Sequence, residues 1–388
     1  MSRRITGNIA AGLFAVALLL ASGMPVRAQI GVGAVGTDSV QSTLFPALAY
    51  DSDLGIIGGG LYSRIDYSGN VSPFRNYIKS TGLVSTKGMF SFEFEYEHTR
   101  SFGTNLRSSI SVFAYRFTHD YYFGIGNNTQ FNEQQFDEEF YFFESRKLVV
   151  SYEGRLPLYR DIDSRFDFLF GVGTKYELPG VKNKESTFNL NPPIGRNGGW
   201  VNTLNTGLVW ENRNSEFDPT TGNRAEVKLR YSPGGFLSDY HLATFEGDYR
   251  HYFRLFDWVT VANRLQARHV AGDELPYWEL SSLGDNETLR GYPLNRFLGN
   301  TSVAYSLELR KWILRIPEYR IKFGGHFFTD TGRVFTGEDD MGDLFSNYKQ
   351  TVGVGGTMSI FSPDFILRGE MGFSEDMARV YIGIGYTF

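Results

Sequence analysis

Apolar and polar positions alternate with a period of two along most of this chain. Phe90, Phe92, Phe94 and Tyr96 fall on one side of a segment, and Ser91, Glu93, Glu95 and Glu97 on the other. Ala225, Val227, Leu229 and Tyr231 alternate with Arg224, Glu226, Lys228 and Arg230. Val303, Tyr305, Leu307 and Leu309 alternate with Ser302, Ala304, Ser306, Glu308 and Arg310. Successive side chains of a strand point to opposite faces, so this period predicts strands. A soluble sandwich also alternates, but seldom with full charges on its inner face. An apolar face backed by Glu and Arg suits a membrane barrel, with lipid outside and a polar lumen inside. The pattern predicts about sixteen strands, an even number as is usual in bacterial barrels. They fall at roughly 42–50, 54–66, 75–85, 88–100, 105–118, 143–157, 163–177, 200–213, 223–233, 239–254, 256–271, 300–315, 319–335, 347–361, 364–375 and 378–388.

Short connections alternate with long ones. Arg254-Leu255-Phe256-Asp257, Arg315-Ile316-Pro317-Glu318 and Ser362-Pro363 read as periplasmic turns; 119–142, 178–199, 272–299 and 336–346 read as outer loops. The expected fold is therefore all-β: a single antiparallel transmembrane β-barrel spanning 42–388, with 272–299 as its sixth extracellular loop.

Composition agrees. With 34 Phe, 23 Tyr and 44 Gly, the chain is 16% aromatic, yet its mean hydropathy is only −0.26. Lipid-facing and lumen-facing residues cancel in a sliding average, which explains the modest value. After the N-terminus no stretch approaches eighteen apolar residues, so helical spans are not expected. The chain has no cysteine, which excludes disulfides and thiolate chemistry. A net charge of −5 favours no nucleic-acid partner.

The N-terminus reads as a secretory signal over 1–28. Arg3 and Arg4 precede an apolar core from Ile9 to Leu20, and Val26-Arg27-Ala28 places small residues where cleavage would occur. Residues 29–41 then form a short periplasmic segment. Its Gly31, Gly33 and Gly36 make a G-x-G-x-x-G string with no strand before it and no helix after it, so it reads as linker.

Two segments near the C-terminal end carry more specific information. One is Gly284-Asp285-Asn286-Glu287-Thr288-Leu289-Arg290-Gly291-Tyr292, followed by Asn295-Arg296-Phe297-Leu298-Gly299-Asn300. The other is Phe328-Thr329-Asp330-Thr331-Gly332-Arg333-Val334-Phe335. Together they resemble the signature of the BamA/TamA outer-membrane assembly superfamily, the bacterial surface-antigen family. Asp218-Pro219-Thr220-Thr221-Gly222 and Phe123-Gly124-Ile125-Gly126-Asn127 resemble further turns of that family. The resemblance implies that the sixth loop folds back into the barrel. Its Arg-Gly-aromatic tip, Arg290, Gly291 and Tyr292, would meet the Phe-x-Asp-x-Gly strand at Asp330 and Gly332. A guanidinium inside a lumen needs a carboxylate, and its planar fork suits one bidentately. Gly291 would let the loop turn sharply or approach the wall closely.

At the C-terminus, Tyr381, Gly383, Tyr386 and Phe388 resemble the β-signal read by the assembly machinery. Val380, Ile382, Ile384, Tyr386 and Phe388 are expected to form one lipid-facing stripe. Standard family members carry periplasmic POTRA domains before the barrel. Only about thirteen residues separate Ala28 from the first strand here, so the chain resembles a POTRA-less branch. That puts client capture in doubt, or moves it to a separate periplasmic chaperone or accessory subunit.

The resemblance implies insertion of proteins, or movement of a polypeptide or lipid, at the outer membrane of a Gram-negative bacterium, through the seam between first and last strands. Outer-membrane lipid and lipopolysaccharide are the expected surroundings. A passive channel or structural barrel is the alternative. Enzymatic activity, a cofactor and a metal are not expected. His98, His119, His241, His251, His269 and His326 have no metal-ligand spacing. Glu338, Asp339, Asp340 and Asp343 read as a solvated acidic loop.

Overall fold

A computed structural model describes residues 39–70, 74–319, 321–359 and 366–388. The expected signal segment, nearly all of the 29–41 segment and the Ser362-Pro363 turn lie outside the described residues. The strands are β1 (Val40–Asp51), β2 (Gly55–Asp66), β3 (Asn76–Ser85), β4 (Met89–Ser101), β5 (Leu106–Tyr121), β6 (Phe142–Arg160), β7 (Arg165–Glu177), β8 (Gly199–Glu211) and β9 (Gly222–Pro233). They continue with β10 (His241–Leu255), β11 (Val259–Ala271), β12 (Ser281–Leu283), β13 (Phe297–Gly299), β14 (Thr301–Ile316), β15 (Ile321–Phe335), β16 (Lys349–Ser359), β17 (Ile366–Phe373) and β18 (Ala378–Ile384). Every strand but β12 and β13 belongs to one closed antiparallel barrel of sixteen strands, in which chain neighbours are sheet neighbours. β12 and β13 form a separate two-stranded sheet within the connection from β11 to β14, which alternation alone did not reveal.

The two faces separate as the sequence period requires. Phe90, Phe92, Val227, Leu229, Tyr231, Tyr305 and Leu309 are exposed, whereas Ser302, Ala304, Ser306, Glu308 and Arg310 are buried. A soluble protein does not expose apolar rows of this extent; a lipid-facing wall does. No described helix is long and apolar enough to cross a membrane. The charged side is the concave one. Lys228 on β9 reaches Glu153 on β6 at 3.4 Å, past the two strands between them. Side chains diverge on the convex side of a closed wall, so such a contact forms only inside. Glu246, Asp248 and Arg250 share this face, Arg230 meeting Glu246 at 3.2 Å and Arg250 meeting Asp248 at 2.7 Å.

Apolar burial concentrates at the end of the barrel where the long connections meet. Tyr122, Phe143, Phe188, Leu242, Val270, Tyr277 and Leu298 form one cluster there, with the rings of Phe143 and Phe188 stacked at 4.5 Å. At the opposite end the strands join by tight turns; between β10 and β11, Phe256 and Asp257 both adopt positive φ.

One expectation is corrected. The final strand stops at Ile384, and Gly385 takes a φ of +81°. Tyr386, Thr387 and Phe388 leave the wall and enter the lumen, so the terminal aromatics do not extend a lipid-facing stripe. Phe388 is buried with Tyr252 of β10 and Ala262 of β11, strands that are not neighbours of β18. The physical reason is twofold. A left-handed glycine breaks the alternation, and the inner wall offers cationic partners: Arg310 donates to the Phe388 carbonyl at 2.9 Å and lies 4.0 Å from the Tyr386 ring.

Candidate functional site

The connection from β11 to β14 is shaped by its own small hairpin. β12 and β13 pair from Ser281 opposite Gly299 to Leu283 opposite Phe297, and they project residues 284–296 as a tip. Thr288 is held by Asp285, whose carboxylate accepts from the Thr288 N–H at 2.7 Å and its hydroxyl at 2.9 Å. Tyr292 is buried against Phe297, with ring centroids 5.1 Å apart, and joins Leu283, Leu289, Ala304 and Val334 in an apolar cluster.

Arg290 is wholly buried. Its Nε and Nη2 donate to the two oxygens of Asp330 at 3.0 and 2.8 Å, and its backbone N–H adds a third bond at 3.1 Å. Nη1 donates to Glu308 and, at 3.2 Å, to Glu370. These carboxylates stand on β14, β15 and β17, so a single guanidinium bridges the concave side of several strands. The Phe328 ring lies 3.6 Å from the guanidinium carbon, where its π face attracts the cation.

Phe328, Asp330 and Gly332 therefore act from one face of β15. Phe328 lies under the cation, Asp330 binds it, and Gly332 leaves room. A Cβ on Gly332 would come 3.0 Å from Leu283 of β12. Gly291, at φ +114°, presses backbone to backbone on β17, where a Cβ at Gly372 would lie 2.5 Å from the Arg290 carbonyl oxygen.

Around this pair the wall adds charges that sequence reading did not single out. Arg310 binds Glu308 at 2.7 Å, and His326 binds Glu370 at 2.7 Å. Arg368 meets Glu370 at 3.6 Å and bonds Thr387 of the inward tail. Arg290, Arg310 and Arg368 thus face Glu308, Asp330 and Glu370, three cations against three anions. Buried ions persist in such a site because each is paired and hydrogen-bonded. Arg296 was missed as well, although it lies in the quoted segment. It bonds Asp376 at 2.5 Å and the Thr129 hydroxyl and carbonyl at 2.6 and 2.9 Å, tying the tip to two other connections. Burial raises the Asp376 carboxyl above its usual range, with Arg296 opposing. The Phe123–Asn127 turn docks here too: Gly126 donates to the Leu298 carbonyl at 2.7 Å, and Asn127 accepts from Val334 N–H at 3.2 Å. The acidic connection after β15 is partly paired, Arg333 binding Asp339 at 2.5 Å and Asp343 at 3.4 Å. Hydrogen bonds from Thr336 hold the Asp339 carboxyl below its ordinary value.

The tip also touches the last strand. Gly291 N–H donates to the Tyr381 hydroxyl at 3.1 Å. Tyr381 is buried on the inner face of β18, and Gly383 lies near Arg368 on the same face. β18 is where closure is thinnest. Its ladder to β1 consists of one register pair, Asp51 opposite Tyr381. Just beyond it, Ser52 N–H donates to the Val380 carbonyl at 3.1 Å, Val380 N–H donates to the Ser52 hydroxyl at 2.9 Å, and Arg379 bonds Asp53. On its other side β1 pairs with β2 along its whole length, from Val40 opposite Asp66 to Asp51 opposite Gly55. From Val40 to Tyr50 the β1 edge has no ladder to β18.

Residues 64–388 match the model of the Omp85 superfamily domain. Among solved structures, BamA from Haemophilus ducreyi lacking POTRA domains 1–3 matches with a TM-score of 0.59 at 13% identity, over 90% of this chain and 70% of that one. CdiB from Acinetobacter baumannii matches at 0.54 and 13%, over 90% and 60%; CdiB from Escherichia coli matches at 0.59 and 11%, over 91% and 64%. The chain thus spans less than two thirds of either CdiB chain. At these identities the likeness concerns the fold. No curated protein matches the chain in sequence.

Proposed function

The chain belongs to the Omp85 superfamily, and we propose that it is an outer-membrane barrel that assists entry of a protein or lipid into that membrane through the seam of β1 and β18. The half-made seam carries this reading. A strand edge without a partner presents a row of free N–H and C=O groups, which templates an incoming strand. Gly383 weakens packing in the last strand, and Gly385 ends it. Residues 272–299 act as the inward-folded sixth extracellular loop. Their Arg290–Asp330 latch keeps the lumen in shape while the seam opens. A separate periplasmic chaperone or accessory subunit would present the client, and lipopolysaccharide and phospholipid would surround the wall. The chemistry is strand exchange, with no cofactor assigned. The Arg290 tip and the Tyr386–Phe388 tail both take up space inside the barrel wall, which speaks against a wide passive channel.

A seam lock tests the proposal. The chain has no cysteine, so Ala49→Cys with Gly383→Cys introduces one pair where a continued register would place them opposite. Assembly of an unfolded barrel client into proteoliposomes should stop when the pair is oxidised and resume on reduction. Full activity of the oxidised form would overturn the reading. Steady single-channel conductance without any client, unaffected by the lock, would favour the channel.

A further inference from the structure

One spot on the outward face breaks the rule of the apolar wall. Arg116 of β5 and Arg146 of β6 stand directly opposite each other in the ladder, with side chains 55% and 50% exposed. Like charges in that position repel, and a lone charge on a lipid face is costly away from the interface. A single carboxylate offsets them. Both arginines donate through Nε to the same Glu144 Oε1, at 2.8 and 2.9 Å. Glu144 is pinned by a two-way backbone bridge to Gly180, at 3.0 and 2.7 Å, and a Cβ at Gly180 would lie 3.1 Å from the Glu144 Cβ. The Nη groups have no protein partner among the described residues, and one positive charge remains uncompensated.

The level of the pair says what surrounds it. Arg116 faces Phe90, the second residue of β4, and the Arg146 carbonyl accepts from Leu178 N–H, one residue past the end of β7, at 2.8 Å. Both flanking strands end here, so the pair lies at the rim of the apolar belt, on the side of the long connections. Tyr176 of β7 and Trp200 of β8 continue that level with rings 4.6 Å apart, as an interfacial aromatic girdle does.

We propose that Arg116 and Arg146 form a binding site for the phosphate group of an anionic glycolipid in the outer leaflet. Glu144 holds the two guanidinium planes side by side, so that their free edges present paired donors to phosphate oxygens. Arginine suits this because its fork matches phosphate geometry bidentately. A phosphomonoester presents three terminal acceptor oxygens, enough to take donors from both guanidinium groups, whereas a phosphodiester has only two free oxygens. The site would anchor the barrel wall at a fixed depth and rotation on the side of β5 and β6. It rests on the reading that the long connections face the cell exterior. Labelling Glu185→Cys in intact cells with an impermeant maleimide checks that premise separately.

The test is native mass spectrometry of the detergent-purified full chain. Bis-phosphorylated lipid A is titrated alongside its dephosphorylated form and phosphatidylglycerol. One copy of the phosphorylated glycolipid should be retained, and the Arg116→Gln, Arg146→Gln variant should retain it about tenfold less. Glu144→Gln removes the competing carboxylate and should raise retention, a direction that misfolding does not mimic. A heat-modifiable gel shift confirms that each variant is folded. Equal retention of the dephosphorylated lipid or of phosphatidylglycerol would overturn the proposal. So would unchanged retention in the double variant, or unchanged or lower retention in Glu144→Gln. Surface labelling together with failed retention would remove the lipid site and leave the seam reading standing. Absence of labelling would remove the orientation on which both depend.

Discussion

Two stretches of the same wall are closed in opposite ways. Between β14 and β15 the ladder runs from Thr301 opposite Phe335 to Ile316 opposite Ile321, interrupted by one irregularity near Trp312. Behind it, Arg290 binds carboxylates on β14, β15 and β17. Between β1 and β18 the ladder is one pair long, and its support is the Arg379–Asp53 contact beside it. The contrast teaches a division of labour. Ladder hydrogen bonds and a buried ion network make β14–β17 a fixed frame. The seam is held at one end only and can part without disturbing that frame. The tip joins the two, because Arg290 belongs to the frame while Gly291 touches Tyr381 of the seam strand.

The largest effect should come from breaking the frame. Arg290→Ala leaves Asp330, Glu308 and Glu370 buried with one cation fewer, at a cost of about 3–5 kcal/mol. Asp330→Ala should cost a similar amount, and the double variant should be little worse than either single one. Denaturant unfolding in detergent measures this; strictly additive effects would show that the two residues do not couple. Phe94→Arg provides a reference for the wall at large. Four residues in from the rim at Phe90 on the same face, it should lower stability by about 2–4 kcal/mol, while Glu95→Arg, one residue along and facing the lumen, should cost far less. Equal costs would place the register one residue off. Gly372→Ala should be milder, about 1–3 kcal/mol, because its Cβ would push on the Arg290 carbonyl. Its signature is a tip released from β17, read as faster proteolysis within 284–296. The smallest effect on stability should come from Ser52→Ala, which removes the hydroxyl that accepts from the Val380 N–H. Only a seam contact is lost, so unfolding should change little, by about 0.5–1.5 kcal/mol, while the Ala49→Cys, Gly383→Cys pair cross-links at a changed rate. A large loss of stability in this variant would mean that the seam belongs to the frame.

Much of this contrast was legible in the chain. Alternation found all sixteen barrel strands, because a wall with lipid on one side and water on the other imposes period two everywhere. Arg290 and Asp330 were legible because both lie in distinctive short segments. Glu308, Arg310, His326 and Glu370 were not. Each is an ordinary polar position within an alternating strand, and only strand register brings them together. Arg296 gave no signal of its partners, since Thr129 and Asp376 come from distant connections. The inward tail was hidden for a different reason. Tyr386 and Phe388 fit the period of a lipid-facing strand, and only the left-handed φ at Gly385 turns them inside.

The central claim is that the barrel is firm at β14–β15 and barely closed at β1–β18. Backbone amide hydrogen exchange of the protein in nanodiscs tests it most directly. Peptides from Thr301 to Phe335 should stay protected long after the alternate amides of Val40–Tyr50 that point away from β2, and those of Ile382–Ile384 that point away from β17, have exchanged. Equal protection of the seam and of β14–β15 would contradict the account.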